Sequence, residues 1–367
     1  MKMLLVMVLA ILAGQGNPGK DCWPLFRGDQ ALTGTVRETL PKAPRLLWSF
    51  QAGDDIKAAP VACNDRIVVG STDGHVYCLS LTGALIWKFN TGNSIEAPAL
   101  ILDGTVYVGN LSGSLNALNL PDGKVKWQYL TEGQISGSPN WWKSGSQTRI
   151  LVGSYDYYLH CIDAATGKGV WKYESDNFIN GAASVVGNQA IFGGCDGHLH
   201  LVDISTGEAR AKIDVATYVP GSVPVSGNLA VVGDYDGGVT CVDLNQKKNL
   251  WKYTNEKVQL PFIASAAIHA GKVVTGSRDR HVYCFDLKSG ALVWKFNTGE
   301  KVDASPVICG DAVVVVNMRG DLIFLGLSDG KPTWTYETGS PITGNPAIAG
   351  GKIIIGADDG RIYCFGK

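Results

Sequence analysis

The chain has 367 residues, with 32 basic and 33 acidic side chains and a formal net charge of −1. A charge this balanced, without a basic block of five or more residues, argues against nucleic acid as a partner. Glycine occurs 46 times, which is typical of a chain with many tight turns.

The first residues are predicted to form a secretory signal peptide over residues 1–16. Lys2 precedes an apolar run from Met3 to Ala13, and small residues follow it. This order matches the charged, apolar and cleavage regions of an export signal, and the run is too short to cross a bilayer as a helix. A buried N-terminal helix or strand is the alternative. We therefore expect a periplasmic or secreted protein that does not span the membrane.

A lead-in segment over residues 17–44 precedes a repeat that tryptophan marks at intervals of about forty residues. A period of this length, filled with short β-type segments, is typical of propeller blades and not of a helical solenoid. Ala211 stands where one further tryptophan is due. The repeated tryptophans are Trp48, Trp87, Trp127, Trp171, Trp251, Trp294 and Trp334.

Each repeat reads as four short strands separated by glycine or aspartate turns, and the tryptophan lies on the fourth strand. Eight repeats fit the span 45–367, so the sequence predicts an all-β, eight-bladed propeller of four-stranded antiparallel blades. The last repeat has no tryptophan strand of its own, whereas the strand around Trp48 has no blade in front of it. We expect that strand to complete the final blade and to close the ring, which removes an unpaired edge.

The nine cysteines mostly follow the repeat. Cys63 and Cys309 share one repeat position, and such register-fixed cysteines are predicted to be small buried hydrophobic residues and not bonded pairs. Cys22 is outside the pattern, and its state is left open. The cysteines that share a second repeat position are Cys78, Cys161, Cys241, Cys284 and Cys364.

The third strand, the turn and the tryptophan carry a recognisable motif. The segment from Cys161 through Asp163, Thr166 and Gly167 to Trp171 resembles the A-x-D-x-x-T-G-x-x-x-W motif of quinoprotein-type (PQQ-like) propellers, with cysteine replacing alanine. Related segments recur along the chain, although Ala211 has lost the indole and Lys247 replaces a turn glycine in another repeat. From Trp23 to the C-terminus the chain resembles this family, and we expect the seven tryptophans to be structural, filling gaps between blades.

Members of this family that are enzymes hold the quinone PQQ at the centre of the ring, with a vicinal cysteine pair and a calcium ion. The chain has no Cys-Cys dipeptide and lacks the long insertions of those enzymes. We therefore expect neither PQQ nor calcium as a cofactor, and no catalytic residues. A PQQ-dependent dehydrogenase or a ligand-sensing propeller is the alternative.

The histidines are weak candidates for a metal site. His75, His198 and His281 follow turns in different blades, and His200 shares a strand face with His198 without a third ligand. A structural zinc site needs four ligands and a catalytic one at least three, so we interpret the turn histidines as solvated. Neither a nucleophile elbow nor a phosphate-binding loop is present.

The first candidate binding surface is a ring of residues at the mouth of a central funnel. At the second position of I-x-A/G, just before each inner strand, the side chains vary between repeats while their neighbours stay constant. Strand alternation buries the preceding apolar residue and turns these side chains towards the funnel. A ligand or peptide site is one interpretation, and solvated loop residues the other. The ring contains Lys57, Glu96, Ser136, Asn180, Pro220, Ile263, Asp303 and Thr343.

The second candidate surface is formed by two insertions. Trp141 and Trp142 lie in the first, where they either pack within the third blade or form an exposed anchor for a partner. The apolar run with Leu260 and Phe262 lies in the second, where exposure would indicate an interaction site.

Together these features resemble those of BamB-like members of the propeller family. The resemblance implies a non-catalytic scaffold, expected as a monomer, that binds a protein or peptide, with outer-membrane protein assembly as one option for its role. Those members carry a lipid-anchor cysteine, whereas Gly14 here is followed by Gln15, and Cys22 follows Lys20 and Asp21. We therefore expect a form without a lipid anchor.

Overall fold

The computed structural model describes residues 22–215, 217–255 and 258–367, so the predicted signal peptide lies outside the described residues. Every regular element in these ranges is a β-strand, and the strands form eight sheets. Seven sheets contain four antiparallel strands, and one gains a fifth, parallel strand at its inner edge. The predicted eight-bladed propeller is confirmed. Within the described ranges, no helix has the length and hydropathy to cross a bilayer.

Strands are numbered in chain order, and each blade runs from an inner to an outer strand. β1 (Thr35–Val36) belongs to the lead-in segment and β2 (Arg45–Gln51) follows it. Blades 1 to 4 contain β3 (Val61–Cys63), β4 (Arg66–Gly70), β5 (His75–Ser80), β6 (Leu85–Asn90); β7 (Leu100–Leu102), β8 (Thr105–Gly109), β9 (Ser114–Asn119), β10 (Val125–Leu130); β11 (Asn140–Ser144), β12 (Gln147–Gly153), β13 (Tyr158–Asp163), β14 (Gly169–Glu174); and β15 (Ser184–Val186), β16 (Gln189–Gly193), β17 (His198–Asp203), β18 (Ala209–Asp214).

Blades 5 to 8 repeat the pattern. They contain β19 (Val225–Ser226), β20 (Leu229–Gly233), β21 (Gly238–Asp243), β22 (Lys248–Thr254); β23 (Ala267–His269), β24 (Lys272–Gly276), β25 (His281–Asp286), β26 (Leu292–Asn297); β27 (Val307–Cys309), β28 (Ala312–Val316), β29 (Asp321–Gly326), β30 (Pro332–Glu337); and β31 (Ala347–Ala349), β32 (Lys352–Gly356), β33 (Arg361–Gly366). The second and third strands of each blade are almost wholly buried because blades stack on both of their faces.

The ring is closed by the strand that carries Trp48, as predicted. β2 pairs antiparallel with β33, and Trp48 lies opposite Cys364. The eighth blade is therefore built from both ends of the described chain. This pairing covers the outer edge of β33, which would otherwise present unpaired backbone groups.

The repeated tryptophans lie between neighbouring blades. Six of them donate a hydrogen bond from the indole nitrogen to a backbone carbonyl of the next blade; Trp127, for example, donates to Ala164 (2.9 Å). The turn glycine of that next blade lies against the indole: a Cβ on Gly167 would come within 2.7 Å of the Trp127 ring. The seventh, Trp334, instead meets Phe365 edge-on at 6.4 Å between centroids. Small turn residues thus make room for each indole.

The lead-in segment, of which residues 22–44 are described, crosses the centre of the ring and reaches every blade. Trp23 exchanges backbone hydrogen bonds with Ala62 of blade 1, and the Glu38 carboxylate accepts from backbone amides of blade 8. Between these ends, β1 pairs with β27. Further contacts to blades 2 to 6 join Pro24 to Ile101, Gln30 to Asn140 and Val185, Ala31 to Val225, and Thr33 to Ile268.

One cysteine prediction is wrong. Cys63 is not an unbonded hydrophobic residue but forms a disulfide with Cys22, 41 residues away in sequence. The lead-in segment brings Cys22 to the end of β3, so the repeat register of Cys63 carried no information about this partner. The other register-fixed cysteines, including Cys309, are buried and free.

Candidate functional site

The two ends of the propeller differ, and we name them by their turns. The funnel face carries the turns between second and third strands and the linkers between blades. The hairpin face carries the turns between first and second strands. The funnel face opens into an axial cavity of about 180 Å³, here called the funnel cavity, which ends at Phe26 of the lead-in segment.

The structure brings most of the predicted ring together around this cavity. Thr343 does not line it, because its hydroxyl donates to the Asp358 carboxylate (2.6 Å). The ring residues that line the funnel cavity are Lys57, Glu96, Ser136, Asn180, Pro220, Ile263 and Asp303.

The charged ring residues are paired at the mouth. Lys57 contacts Glu96 at 3.3 Å. Arg278 donates to both carboxylate oxygens of Asp303 at 3.0 to 3.2 Å, and this hydrogen bond is the main reason that the pKa of Arg278 is raised. The mouth therefore carries little unbalanced negative charge.

Asn180 is the ring residue with the most distinctive surroundings. Its amide nitrogen donates to the Tyr218 hydroxyl (2.8 Å) and to the Cys195 sulfur (3.1 Å). Its amide oxygen is buried and has no hydrogen-bond partner among the described residues. Burial is the first cause that raises the pKa of Tyr218 to about 12, so this phenol stays neutral. Asn180 can accept a hydrogen bond from a ligand in the cavity.

Beneath the ring lies a second set of polar side chains, here called the serine belt: Ser222, Ser265, Ser305 and Asn345. The side-chain oxygen of each belt residue accepts a backbone N–H from the preceding blade. Ala182 donates to Ser222 (2.8 Å), Ser222 to Ser265 (2.9 Å), Ser265 to Ser305 (2.9 Å) and Ser305 to Asn345. The belt ties blades 4 to 8 together around the axis. Sequence reasoning missed it, although a small polar residue two positions after the ring residue marks each member.

Arg27 lies next to the floor of the funnel cavity. Its side chain is 1% exposed, and its Nη2 donates to the carbonyl of Ala266 (3.0 Å). Its Nε and Nη1 are buried and have no partner among the described residues. Burial lowers the pKa of Arg27 to about 9, against the raising effect of nearby Asp29. The guanidinium therefore keeps its charge at neutral pH.

Exposed apolar side chains lie along one side of the funnel face, and this set is here called the apolar crescent. Its members lie in blades 2 to 6 and in the linkers between them. Phe178 stacks on Tyr155 at 4.8 Å and contacts Tyr157 at 5.2 Å, and Tyr235 packs against Tyr218 at 5.3 Å. The crescent contains Leu130, Tyr157, Phe178, Tyr235, Val258 and Leu260.

The two predicted insertions lie on opposite faces. Leu260 is exposed on the funnel face, next to the turn of blade 5. Phe262 is buried with 1% exposure against Tyr253 and Tyr283, so its prediction as an exposed partner contact is wrong. Strand alternation explains the error, because Phe262 occupies the buried position before the inner strand.

Trp141 and Trp142 lie on β11, at the hairpin face. They are half-buried, and the Trp142 indole donates to the Gly187 carbonyl (3.1 Å). The Trp141 carbonyl accepts from the Gln30 side chain (2.6 Å). Both side chains line an open bowl of about 1400 Å³ whose floor is the lead-in segment. They pack within the third blade and also keep one side towards the bowl.

The histidines are held by turn aspartates. His75, His198 and His281 each place Nδ1 at 3.4 to 3.6 Å from a turn carboxylate. His200 is buried and contacts Asp196 at 2.9 Å and the Tyr173 hydroxyl at 3.1 Å. His160 repeats this arrangement with Asp156 and Tyr129. Across the described ranges, no three His, Cys, Asp or Glu side chains are grouped to hold a metal.

Comparison with solved structures shows a shared propeller fold. BamB from Moraxella catarrhalis has a TM-score of 0.74 at 20% identity, covering 88% of this chain and 98% of that one. The quinohemoprotein alcohol dehydrogenase from Comamonas testosteroni has a TM-score of 0.81 at 14% identity, covering 96% and 82%. The computationally designed Ika8 protein has a TM-score of 0.76 at 17% identity, covering 88% and 100%.

These identities are too low to carry more than the fold, and no curated protein matches the chain significantly. A family profile is more specific. The profile described as outer membrane protein assembly factor BamB matches residues 132–254 and 278–366, which together are more than half of the chain. The chain therefore belongs to the family of outer membrane protein assembly factor BamB.

Proposed function

We propose that this protein is an exported, non-catalytic scaffold that docks a protein or peptide partner on the apolar crescent during outer-membrane protein assembly. Membership of the BamB family supports the assembly role. A rigid ring with a one-sided apolar rim suits docking, because exposed aromatic side chains supply most of the binding free energy at protein interfaces.

The backbone of Tyr157 is the observation that carries this proposal. Tyr157 has a φ of +75°, at a turn position that glycine occupies in six of the eight blades. A left-handed backbone costs a non-glycine residue about 1–2 kcal/mol, so the fold alone favours glycine here. The Tyr157 side chain is 42% exposed and contacts Phe178, which is also exposed. A strained backbone at an exposed aromatic residue supports a binding role for Tyr157.

The Cys22–Cys63 disulfide supports export. Disulfides persist in oxidising compartments such as the periplasm and are rare in the cytosol. The proposal therefore locates the protein in the cell envelope.

The funnel cavity does not fit a quinone cofactor. Its volume of about 180 Å³ is below the roughly 300 Å³ at which pockets for larger organic ligands begin. Its carboxylates are engaged by Lys57 and Arg278, which leaves them poorly placed as calcium ligands. Calorimetry with PQQ and calcium tests the competing dehydrogenase class, and tight stoichiometric binding would establish it.

The docking proposal is tested by site-specific photo-crosslinking in intact envelopes. A photoreactive residue replaces Phe178 or Tyr235 in the crescent, and the matched controls replace Gln51 or Glu337, which are exposed at the outer-strand ends of blades 8 and 7 on the same face. We expect one envelope protein involved in outer-membrane assembly to crosslink at both crescent positions and not at the controls. Equal labelling at all four positions, or none at the crescent, would refute the proposal.

A further inference from the structure

The floor of the funnel cavity presents hydrogen-bond donors without acceptors. The Ser222, Ser265 and Ser305 hydroxyls each accept a backbone N–H, and a hydroxyl that accepts still has one hydrogen to donate. No acceptor for these hydrogens is found in the ranges that the structure describes. Asn345 accepts through its amide oxygen, which leaves its NH2 group to donate. All four side chains line the same cavity.

A buried positive charge lies behind the cavity floor, on a side chain that does not itself line the cavity. The Arg27 guanidinium carbon is 6.0 Å from the centroid of the Phe26 ring, which forms part of the cavity floor. Arg27 also bonds the carbonyl of Ala266, the residue after Ser265. A buried cation with unpaired N–H groups is costly, and a nearby anion would lower that cost.

The neighbouring carboxylates are engaged with other groups and do not serve as the anion for Arg27. Asp29 is close enough to influence Arg27, but it accepts from the Thr33 backbone (3.0 Å) and hydroxyl, and it lines the bowl on the hairpin face. At the funnel mouth, Glu96 and Asp303 are paired with Lys57 and Arg278. An anion that enters from the funnel face therefore meets a neutralised rim and a floor of donors.

We propose that the funnel cavity binds a small oxyanion, a carboxylate, phosphate or sulfate group, held by the serine belt, with the charge of Arg27 behind the cavity floor. The cavity volume of about 180 Å³ accommodates such a group with water, but not a large cofactor. Donors that are fixed in place by the belt bind an oxyanion without being reordered, which favours affinity. This site is separate from the apolar crescent, and either can exist without the other.

The experiment is calorimetric titration of the full chain with phosphate, sulfate and acetate, at constant ionic strength in chloride. We expect saturable binding of at least one oxyanion at one site, with no such signal for chloride. The comparison of acetate with the inorganic ions distinguishes a carboxylate ligand from phosphate or sulfate.

Two variants of one residue make the test specific. Asn345→Asp keeps an oxygen that accepts the Ser305 N–H but places a negative charge on the cavity, so binding should weaken at least about tenfold. Asn345→Ser is the matched control, because it introduces the hydroxyl that the other belt positions carry, and binding should persist. Circular dichroism melting checks that both variants are folded. Absence of binding to the wild type, or equal binding by the wild type and Asn345→Asp, would overturn the proposal.

Discussion

The ammonium group of Lys247 donates a hydrogen bond to the backbone carbonyl of Arg210, 3.1 Å away, at the contact between blades 4 and 5. Arg210 precedes Ala211, the outer-strand position that has lost its tryptophan. Lys247, with a φ of +54°, occupies the turn position where six other blades have glycine. The two departures from the repeat therefore belong to one contact: without an indole to accommodate, the turn tolerates a side chain.

This pairing predicts strong coupling between the two positions. Ala211→Trp alone should destabilise, because the indole meets the Lys247 side chain. Together with Lys247→Gly, the indole can lie on the turn and donate to the Leu244 carbonyl, as at the other contacts. A double-mutant cycle in urea should give a favourable coupling free energy of about 1–3 kcal/mol. Additive effects would contradict this account of the contact.

Trp127→Ala should lower the free energy of unfolding by about 3–5 kcal/mol, because it leaves a cavity between blades 2 and 3 and removes the bond to Ala164. The control is Val125→Ala on the same strand, whose side chain is 51% exposed and should cost less than about 0.5 kcal/mol. Urea denaturation measures both. Equal losses of unfolding free energy in the two variants would contradict a structural role for the tryptophan.

Tyr157→Gly should stabilise the protein by up to about 1 kcal/mol, because glycine relieves the positive φ. The lost contact with Phe178 reduces this gain. Tyr157→Ala is the control: it loses the same ring but keeps the strained backbone, so it should be less stable than Tyr157→Gly. Thermal melts compare the three proteins. An alanine variant as stable as the glycine variant would show that strain is not stored there.

Protonation of the Asp156 carboxylate should lower the free energy of unfolding in acid. Burial alone raises its pKa, but hydrogen bonds from the His160 ring and the Glu132 and Tyr158 amides, with the charge of His160, outweigh burial and lower it to about 2. A depressed pKa stabilises the fold above the ordinary value of 3.8, and this stabilisation disappears as the pH falls towards 2.

The contribution is about 2 kcal/mol at neutral pH. Asp156→Asn should therefore be less stable than the wild type at pH 7, and its free energy of unfolding should depend less on pH between 5 and 2. Urea titrations at several pH values measure the slopes. Parallel slopes would show that this carboxylate does not contribute to acid unfolding.

The free cysteines differ in burial, so we expect a thiol reagent to label them selectively. Burial raises the pKa of Cys78, Cys161, Cys241, Cys284, Cys309 and Cys364 to about 12, and these thiols are inaccessible. Cys195 is only partly buried, at the funnel mouth. Iodoacetamide on the native protein should therefore modify Cys195 first, as peptide mass spectrometry can show. Early labelling of a blade-core cysteine would contradict the packing.

The repeat made the fold predictable, because the same spacing of tryptophan, glycine and apolar strands recurs along the chain. The ring around the funnel followed from strand alternation, and the closing role of the Trp48 strand followed from the missing fourth strand of the last repeat. The disulfide did not follow, because Cys22 reaches Cys63 only through the path of the lead-in segment. The burial of Phe262 also follows from strand alternation, because Phe262 precedes the ring residue Ile263, but the apolar run of the insertion suggested an exposed surface instead. The apolar crescent joins residues from five blades, and only their three-dimensional arrangement brings them to one side.

The path of the lead-in segment has a consequence for how the protein acquires its structure. Ordinary repeat arrays gain stability step by step as each unit joins its neighbour. Here residues near one end of the described chain bond to all eight blades, and β2 completes the sheet that contains β33. The lead-in contacts can form as each blade is added, whereas β2 finds its partner strand only when β33, the last strand, is present. Closure of the ring is therefore expected to be the last step of folding, and a chain truncated before β33 should leave β2 without its partner strand.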